Sequence, residues 1–277
     1  MTPVQLVALD VDGTIIDYDE YLTDGVREAV RAVADAGVHV VLATGRSLVG
    51  VLPILDRLGL LHGYTVCSNG TVTVRLDPEL PAGYEVVETV TFDPAPALRL
   101  LREHLPTAAF AVEDTGSGFR LSAPFPAGEL SGELRLVPFE ELLASPATRV
   151  VVRSPEHTPE EFFEVVQRIG LHGVSYAVGW TAWLDLAPEG ISKASALEHV
   201  RQRLDVNLDA TLAVGDGRND VEMFAWAAHA VAMGNALDEA LQAADEVAGD
   251  VKDDGLVGVL ESALAGRAAA FPAGRGG

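Results

Sequence analysis

Residues 6–14 read LVALDVDGT, an apolar run that is followed by two carboxylates and a glycine. Four consecutive apolar residues before a turn are typical of a strand buried in a parallel sheet. Asp10 and Asp12 therefore follow the end of that strand, which is the edge where open α/β sheets bind ligands. Because crowded carboxylates repel each other unless a cation lies between them, the stretch predicts a polar site at this edge.

The first and last thirds of the chain alternate between strand and helix patterns. Beyond the first strand we expect a helix over 23–36, a strand over 38–43, a helix over 47–58, a strand over 64–68 and a hairpin-like segment over 71–76. In the last third we expect helices over 190–204, 218–228 and 256–268, with strands over 211–214 and 230–232. This rhythm favours a parallel sheet with right-handed crossovers.

The middle of the chain follows a different pattern of longer strands and amphipathic helices. We expect strands over 84–92, 108–113, 119–122, 150–153 and 176–186, and helices over 94–104 and 158–169. The predicted fold is therefore α/β, with a Rossmann-like parallel-sheet core and an inserted α+β domain. The predicted core comprises residues 1–82 and 187–277, and the predicted insert comprises residues 83–186.

The composition limits the classes of partner. The chain has 277 residues, of which 41 are acidic and 19 are basic, giving a formal net charge of −22. An acidic surface repels phosphate backbones and anionic lipid, so we expect neither a nucleic-acid nor a membrane partner. The single cysteine, Cys67, excludes an intramolecular disulfide, and the sequence has no apolar run of membrane-spanning length. We expect a cytoplasmic protein, and a small phosphorylated substrate is compatible with its charge if cations neutralise the site locally.

Two further segments present groups that suit a phosphate. Thr44-Gly45-Arg46 ends the second predicted strand and precedes a helix, where a hydroxyl and free backbone N–H groups bind anions well. Lys193 begins a helix, where the dipole is slightly unfavourable for a cation, and its ammonium can neutralise a phosphoryl oxygen. Each has an ordinary alternative, which is a loop before a helix for the first segment and a solvated side chain for Lys193.

Residues 215–220 read GDGRND and again follow an apolar strand. Asp216 would complete a set of oxygen ligands for a hard cation, with Asn219 and Asp220 on the next turn. Such ligands suit Mg²⁺, which binds one or two carboxylates together with substrate phosphate and water. The alternative is a glycine-rich turn that binds nothing, just as a plain turn is the alternative for residues 10–14.

Asp10 and Asp12 also suit covalent phosphoryl chemistry. A carboxylate that attacks a phosphoryl group gives an aspartyl-phosphate. A second carboxyl two residues further on can protonate the leaving oxygen and later activate water.

Taken in order, these segments resemble the haloacid dehalogenase superfamily, and specifically its Cof-type phosphatases. The resemblance covers nearly the whole chain and includes Asn69-Gly70 and the NDVEM of residues 219–223, which matches the NDxxM of that family. Members of this group carry a large α/β cap between the second and third motifs, where this chain has its insert. The resemblance therefore implies that residues 83–186 are an inserted cap domain that selects the substrate.

The resemblance implies a role for each residue of these segments. Asp10 would be the nucleophile and Asp12 the general acid/base. The implied catalytic residues are Asp10, Asp12, Thr44 and Lys193; the implied substrate-binding residues are Thr44, Gly45, Arg46, Lys193 and Asn219; the implied Mg²⁺ ligands are Asp10, Asp12 through its backbone carbonyl, Asp216 and Asp220.

The expected function is that of a Mg²⁺-dependent phosphatase. It would hydrolyse a small phosphate monoester, a sugar phosphate or a related phosphometabolite, through an aspartyl-phosphate. A phosphosugar mutase or phosphotransferase of the same superfamily is the first alternative. A non-catalytic sugar-phosphate-binding regulator is the second. No pattern in the insert identifies the substrate, and none indicates the oligomeric state.

Overall fold

The computed structural model describes residues 2–178 and 182–270. The chain divides into two compact units. The first unit comprises Met1–Gly45, Pro53–Val87 and Ser192–Gly277, and the second comprises Arg46–Leu52 and Glu88–Ile191. These limits differ from the predicted 83–186, because residues 84–87 join a strand of the first sheet and residues 187–188 extend a strand of the second. In addition, Arg46–Leu52, which were predicted to belong to the core, fall in the second unit. That the second unit is a cap that selects the substrate stays a prediction.

Strands and helices account for most of the described residues. The strands are β1 (Leu6–Leu9), β2 (His39–Ala43), β3 (Gly63–Cys67), β4 (Val72–Leu76), β5 (Tyr84–Thr89), β6 (Ala109–Asp114), β7 (Gly118–Leu121), β8 (Glu133–Leu136), β9 (Val150–Arg153), β10 (Val174–Val178), β11 (Trp183–Pro188), β12 (Thr211–Gly215), β13 (His229–Ala232) and β14 (Glu246–Val247). The α-helices are α1 (Asp24–Asp35), α2 (Leu48–Leu58), α3 (Ala95–His104), α4 (Phe139–Leu142), α5 (Pro159–Ile169), α6 (Lys193–Arg203), α7 (Val221–Trp226), α8 (Asp238–Ala243) and α9 (Gly255–Ala270).

The sheet of the first unit has the strand order β14-β13-β12-β1-β2-β3-β4-β5. Strands β14 to β3 are parallel, and β4 runs antiparallel to β3. From β1 the chain proceeds outward through β2 and β3, and it later returns on the other side of β1 through β12 and β13. A topological switch point therefore lies between β1 and β12, which is where open α/β sheets bind ligands. The predicted α/β class is confirmed.

Side-chain caps define where the helices of this unit begin. Thr23 precedes α1, and its Oγ1 accepts a hydrogen bond from N of Val26 at 3.1 Å. Ser192 precedes α6 in a capping box, in which its Oγ accepts from N of Ser195 at 3.4 Å. Such caps satisfy backbone donors that the first helical turn leaves unpaired. The cap at Ser192 makes Lys193 the first residue of α6.

The second unit is built around a six-stranded sheet with the order β10-β11-β9-β6-β7-β8. Its pairs are antiparallel except for β7 with β8. Helices α3 and α5 contribute buried side chains, among them Leu98 and Phe162, to one apolar cluster with Phe110 and Val152 of the sheet. The unit therefore has a hydrophobic core of its own and is an α+β structure, as predicted.

The predicted single strand over 176–186 is wrong. The chain there forms β10 and β11, which pair antiparallel with Val174 opposite Pro188. Alternation with a period of two is the same in both arms of a hairpin, so the pattern does not reveal where the chain reverses. Residues 179–181, which include Trp180, lie outside the described residues, as does the predicted frayed tail from Phe271 onward.

The helix predicted over 218–228 is shorter and begins differently. Arg218–Asp220 form a 3₁₀ turn, and α7 follows. The reason is local, because Oδ2 of Asp220 accepts hydrogen bonds from the backbone N of Asp216 and Gly217 and thereby tightens the turn. The predicted strand over 84–92 also ends earlier, at Thr89.

None of the helices among residues 2–178 and 182–270 has both the length and the apolarity that a membrane span requires.

Candidate active site

Three side chains of the site follow the ends of neighbouring parallel strands. Asp10 follows β1, Thr44 follows β2 and Asp216 follows β12. The backbone N of Asp10 donates to O of Val214 at 2.9 Å, so β1 and β12 stay paired up to the site. Because parallel strands end at a common edge, Asp10 and Asp216 flank the switch point of the sheet, and Thr44 follows the strand on the other side of β1.

Lys193 is fully buried and lies between two carboxylates. Its Nζ donates to Oδ1 of Asp10 at 2.5 Å and to Oδ1 of Asp220 at 2.7 Å. Burial by itself disfavours the charge, but the attraction of Asp10 and Asp220 outweighs it and raises the pKa of Lys193. The lysine is therefore charged at neutral pH, and the alternative of a solvated side chain is excluded.

Asp10, Asp216 and Asp220 form a buried cluster of carboxylates. One oxygen from each of the three lies within 4.8 Å of the others. Burial raises the pKa of Asp10 well above its usual range, repulsion from Asp220 adds to the rise, and Lys193 opposes it. Burial likewise raises the pKa of Asp216 to about 6.

The charge of this cluster fits a divalent cation. Three carboxylates face a single ammonium, so an excess of negative charge remains in a place that water hardly reaches. Oxygen donors of this kind are what hard cations such as Mg²⁺ prefer, and a bound cation would relieve the repulsion. Residues that would hold it are therefore present on this unit.

Asp220 also shapes the loop that carries Asp216. Its Oδ2 accepts from N of Asp216 at 3.0 Å and from N of Gly217 at 2.9 Å, while its Oδ1 receives Lys193. A Cβ on Gly215 would lie 2.5 Å from Cγ of Asp220, so this close approach requires glycine. Asp220 thus links the loop to the lysine, whereas its predicted role as a metal ligand stays a prediction.

The other predicted site residues occupy different surroundings. Nδ2 of Asn219 donates to Oδ1 of Asn69 at 2.9 Å. Gly45 borders the same Asn69, since a Cβ there would lie 3.3 Å from Oδ1. Asp12 is partly exposed in a turn that bridges back to Ile16, outside the three-carboxylate cluster. Thr44 is buried, and Arg46 belongs to the second unit.

Two residues of the site escaped the sequence analysis. The hydroxyl of Tyr18 donates to Oδ2 of Asp216, and Nδ2 of Asn235 donates to the same oxygen at 3.2 Å. Asn235 follows β13, the next parallel strand after β12, so the strand-end rule that found Asp216 would also have found it. Tyr18 lies in the turn after β1 and carries no comparable signal.

Comparisons with known proteins agree with this geometry. Residues 7–97 and 130–260 match the family described as haloacid dehalogenase-like hydrolase. A Streptococcus pyogenes protein provisionally named a phosphatase is 27% identical over 272 residues, which cover 91% of this chain and 96% of the relative. An HMP-PP phosphatase of Yersinia pestis is 28% identical over 253 residues, 86% of each chain.

A solved structure supports the same assignment. A phosphatase of the haloalkanoate dehalogenase superfamily from Bacteroides thetaiotaomicron superposes with a TM-score of 0.77 at 26% identity. The match covers 95% of this chain and 96% of that one. The resemblance drawn from the sequence is confirmed, and the chain belongs to the haloacid dehalogenase-like hydrolase family as a Cof-type phosphatase.

Proposed function

We propose that this chain hydrolyses a small phosphate monoester with Mg²⁺ and through an aspartyl-phosphate on Asp10. The observation that carries the proposal is the buried pairing of Asp10 with Lys193 beside Asp216 and Asp220. Lys193 is buried and charged, and it lies next to the carboxylate of Asp10 at the switch point. Such a pair suits the transfer of a dianionic phosphoryl group.

In the first step, the carboxylate of Asp10 attacks phosphorus while the bond from phosphorus to the ester oxygen breaks. Asp12 gives its proton to the leaving oxygen, so that the alcohol departs neutral. Thr44 and Lys193 hold the phosphoryl oxygens during the transfer. The ion pair keeps the carboxylate of Asp10 oriented, which lowers the entropic part of the barrier.

In the second step, water attacks the phosphorus of the aspartyl-phosphate. Asp12, now ionised, takes a proton from this water, and the acyl–phosphate bond breaks to give inorganic phosphate and free Asp10. A bound Mg²⁺, held by Asp10, Asp216 and the carbonyl of Asp12, would supply positive charge to the phosphoryl oxygens. Asp220 holds Lys193 and the Asp216 loop in both steps.

The second unit is the part of the chain to which we assign the choice of substrate. It has its own sheet and core, so its loops can vary without disturbing the carboxylate cluster of the first unit. Sugar phosphates follow from the family resemblance as the first class of candidates. The name of the Yersinia pestis relative adds HMP-PP to the compounds worth testing.

The test is the release of inorganic phosphate by the purified chain. The panel contains sugar phosphates, phosphorylated cofactors, HMP-PP and p-nitrophenyl phosphate, each with Mg²⁺ and with EDTA. We expect Mg²⁺-dependent release, which Asp10→Asn abolishes because an amide does not attack phosphorus. Asp19→Asn, at an exposed carboxyl in the turn after β1, is the matched control.

Three results would count against the proposal. Unchanged hydrolysis of p-nitrophenyl phosphate by Asp10→Asn would show that Asp10 is not the nucleophile. Full activity after chelation would show that the reaction does not need the cation. Conversion of a sugar phosphate to its isomer without release of phosphate would favour the mutase alternative instead.

A further inference from the structure

Tyr18 combines an exposed ring with a hydroxyl directed at a buried carboxylate. The residue exposes 56% of its surface, and its hydroxyl donates to Oδ2 of Asp216, which is buried. An exposed tyrosine ordinarily points its hydroxyl at water, because holding the side chain in one orientation costs conformational entropy. The inward orientation of this hydroxyl therefore indicates that Tyr18 has a specific role at Asp216.

Asn235 is the second donor to the same oxygen. Its Nδ2 lies 3.2 Å from Oδ2 of Asp216 and 2.9 Å from O of Gly13. Its Oδ1 accepts from N of Val251 at 2.8 Å, so the amide is fixed from both ends. Among residues 2–178 and 182–270, both side-chain hydrogen bonds to Asp216 reach Oδ2 and neither reaches Oδ1.

The backbone of Gly13 closes the remaining approach to Oδ2. A Cβ at Gly13 would lie 2.1 Å from Oδ2 of Asp216 and 2.7 Å from the hydroxyl of Tyr18. Oδ2 is thus enclosed by Tyr18, Asn235 and Gly13. The other oxygen of the same carboxylate, Oδ1, is the one left to meet a ligand.

We propose that Tyr18 is a positioning residue of the cation site, whose hydroxyl works with Asn235 to fix the carboxylate of Asp216 so that Oδ1 is presented to the cation. The inference rests on the proposed function, since Tyr18 has this task only if Asp216 binds a cation. Hydrogen-bond partners of metal ligands orient them, and losing one typically costs about 10- to 100-fold in metal affinity.

The test is Mg²⁺ binding to the full chain by isothermal titration calorimetry, without substrate. Tyr18→Phe removes only the hydroxyl, and Tyr21→Phe is the matched control, because that ring is similarly exposed in the same turn. We expect Tyr18→Phe to weaken Mg²⁺ binding by about tenfold and Tyr21→Phe to leave it unchanged. We also expect Mg²⁺ to change the near-ultraviolet tyrosine spectrum of wild type and Tyr21→Phe, and not that of Tyr18→Phe.

Turnover separates positioning from a structural defect. In Tyr18→Phe, the Mg²⁺ concentration for half-maximal rate should rise about tenfold, and saturating Mg²⁺ should restore the wild-type maximal rate. A rate loss that saturating Mg²⁺ does not restore would contradict the positioning role.

Asp216→Asn distinguishes the two ways of failing. If wild type binds Mg²⁺ and Asp216→Asn does not, then equal or tighter binding by Tyr18→Phe overturns the inference and leaves the proposed function intact. Tighter binding would mean that the hydroxyl competes with the cation. If wild type binds no Mg²⁺, or Asp216→Asn binds it equally well, the proposed cation site fails and the inference fails with it.

Discussion

At the scale of single residues, the site consists of charges that the fold has withdrawn from water. Lys193 keeps its charge because Asp10 and Asp220 surround it, although burial opposes it. For Asp10 the balance is reversed, since burial and repulsion from Asp220 outweigh the lysine and raise its pKa. The rest of the fold therefore holds the metal-free carboxylates together against their mutual repulsion, and a bound cation would relieve that repulsion.

Asp216→Asn should make the metal-free protein more stable at neutral pH. The pKa of Asp216 is raised from 3.8 to about 6 in the folded state, so folded protein binds more protons than unfolded protein between these values. Stability is therefore lost as the pH rises through this window, and the loss persists above it. At pH 7 the asparagine variant should gain on the order of 3 kcal/mol, since one pKa unit corresponds to about 1.4 kcal/mol and the pKa rises from 3.8 to about 6.

The measurement is thermal or urea unfolding in EDTA from pH 4 to pH 7.5, with Asp19→Asn as an exposed control. The gain from Asp216→Asn should shrink towards pH 4, because the folded-state carboxyl is then protonated and protonation of the unfolded-state carboxyl has begun. Adding Mg²⁺ should stabilise wild type and not the variant. A gain that is the same at every pH would contradict the assigned cause.

At the scale of elements, the site depends on where α6 begins. Ser192 caps the helix, and Lys193 is its first residue. The turn Ser68–Gly70 packs against this start so closely that a Cβ on Gly70 would lie 2.2 Å from O of Ser192. The neighbouring atom belongs to the backbone of Ser192, which cannot rotate away as a side chain can. Gly70 therefore fixes the position of the helix start and hence of Lys193.

Gly70→Ala should impair both stability and turnover, and Gly63→Ala is a matched control. Both glycines have nearly the same positive φ, +105° and +104°, but a Cβ on Gly63 would meet nothing within 4 Å. Each substitution carries backbone strain of about 1–3 kcal/mol, and only Gly70→Ala also displaces Lys193. Phosphate release should therefore fall by at least about tenfold in Gly70→Ala alone. Equal losses in the two variants would show that the contact with Ser192 is unimportant.

Elements with strong local signals were predictable from the sequence. Helix α1 begins after its cap at Thr23, and β9 has the predicted limits, because periodicity and capping act within a few residues. The short elements β8 and α4 were missed, since four residues carry too little periodicity. The reversal between β10 and β11 was missed because a hairpin preserves the alternation on which the prediction relied.

At the scale of the whole molecule, Asp10 and Asp216 were predictable from the strands that they follow, whereas their distant partner Tyr18 was not. Asp10 and Asp216 are recognisable in the sequence because each is a carboxylate that directly follows an apolar strand. Tyr18 becomes part of the site only because folding brings it against Asp216, 198 positions away. The net charge of −22 is the basis for expecting neither a nucleic-acid nor a membrane partner, and it names no substrate. The family was predictable from the order of the motifs along the chain, because each motif by itself also had an ordinary structural explanation.

The central claim is that Asp10 carries the phosphoryl group, and mass spectrometry of an acid-quenched reaction tests it most directly. Asp12→Asn with p-nitrophenyl phosphate suits this test, because nitrophenolate leaves without a proton whereas the second step still needs Asp12. We predict a burst of nitrophenolate and one added phosphoryl group on the peptide that contains Asp10, absent when Asp10→Asn is combined with it. Nitrophenolate release with the phosphoryl group on another residue, or with none on the protein during the burst, would contradict the account.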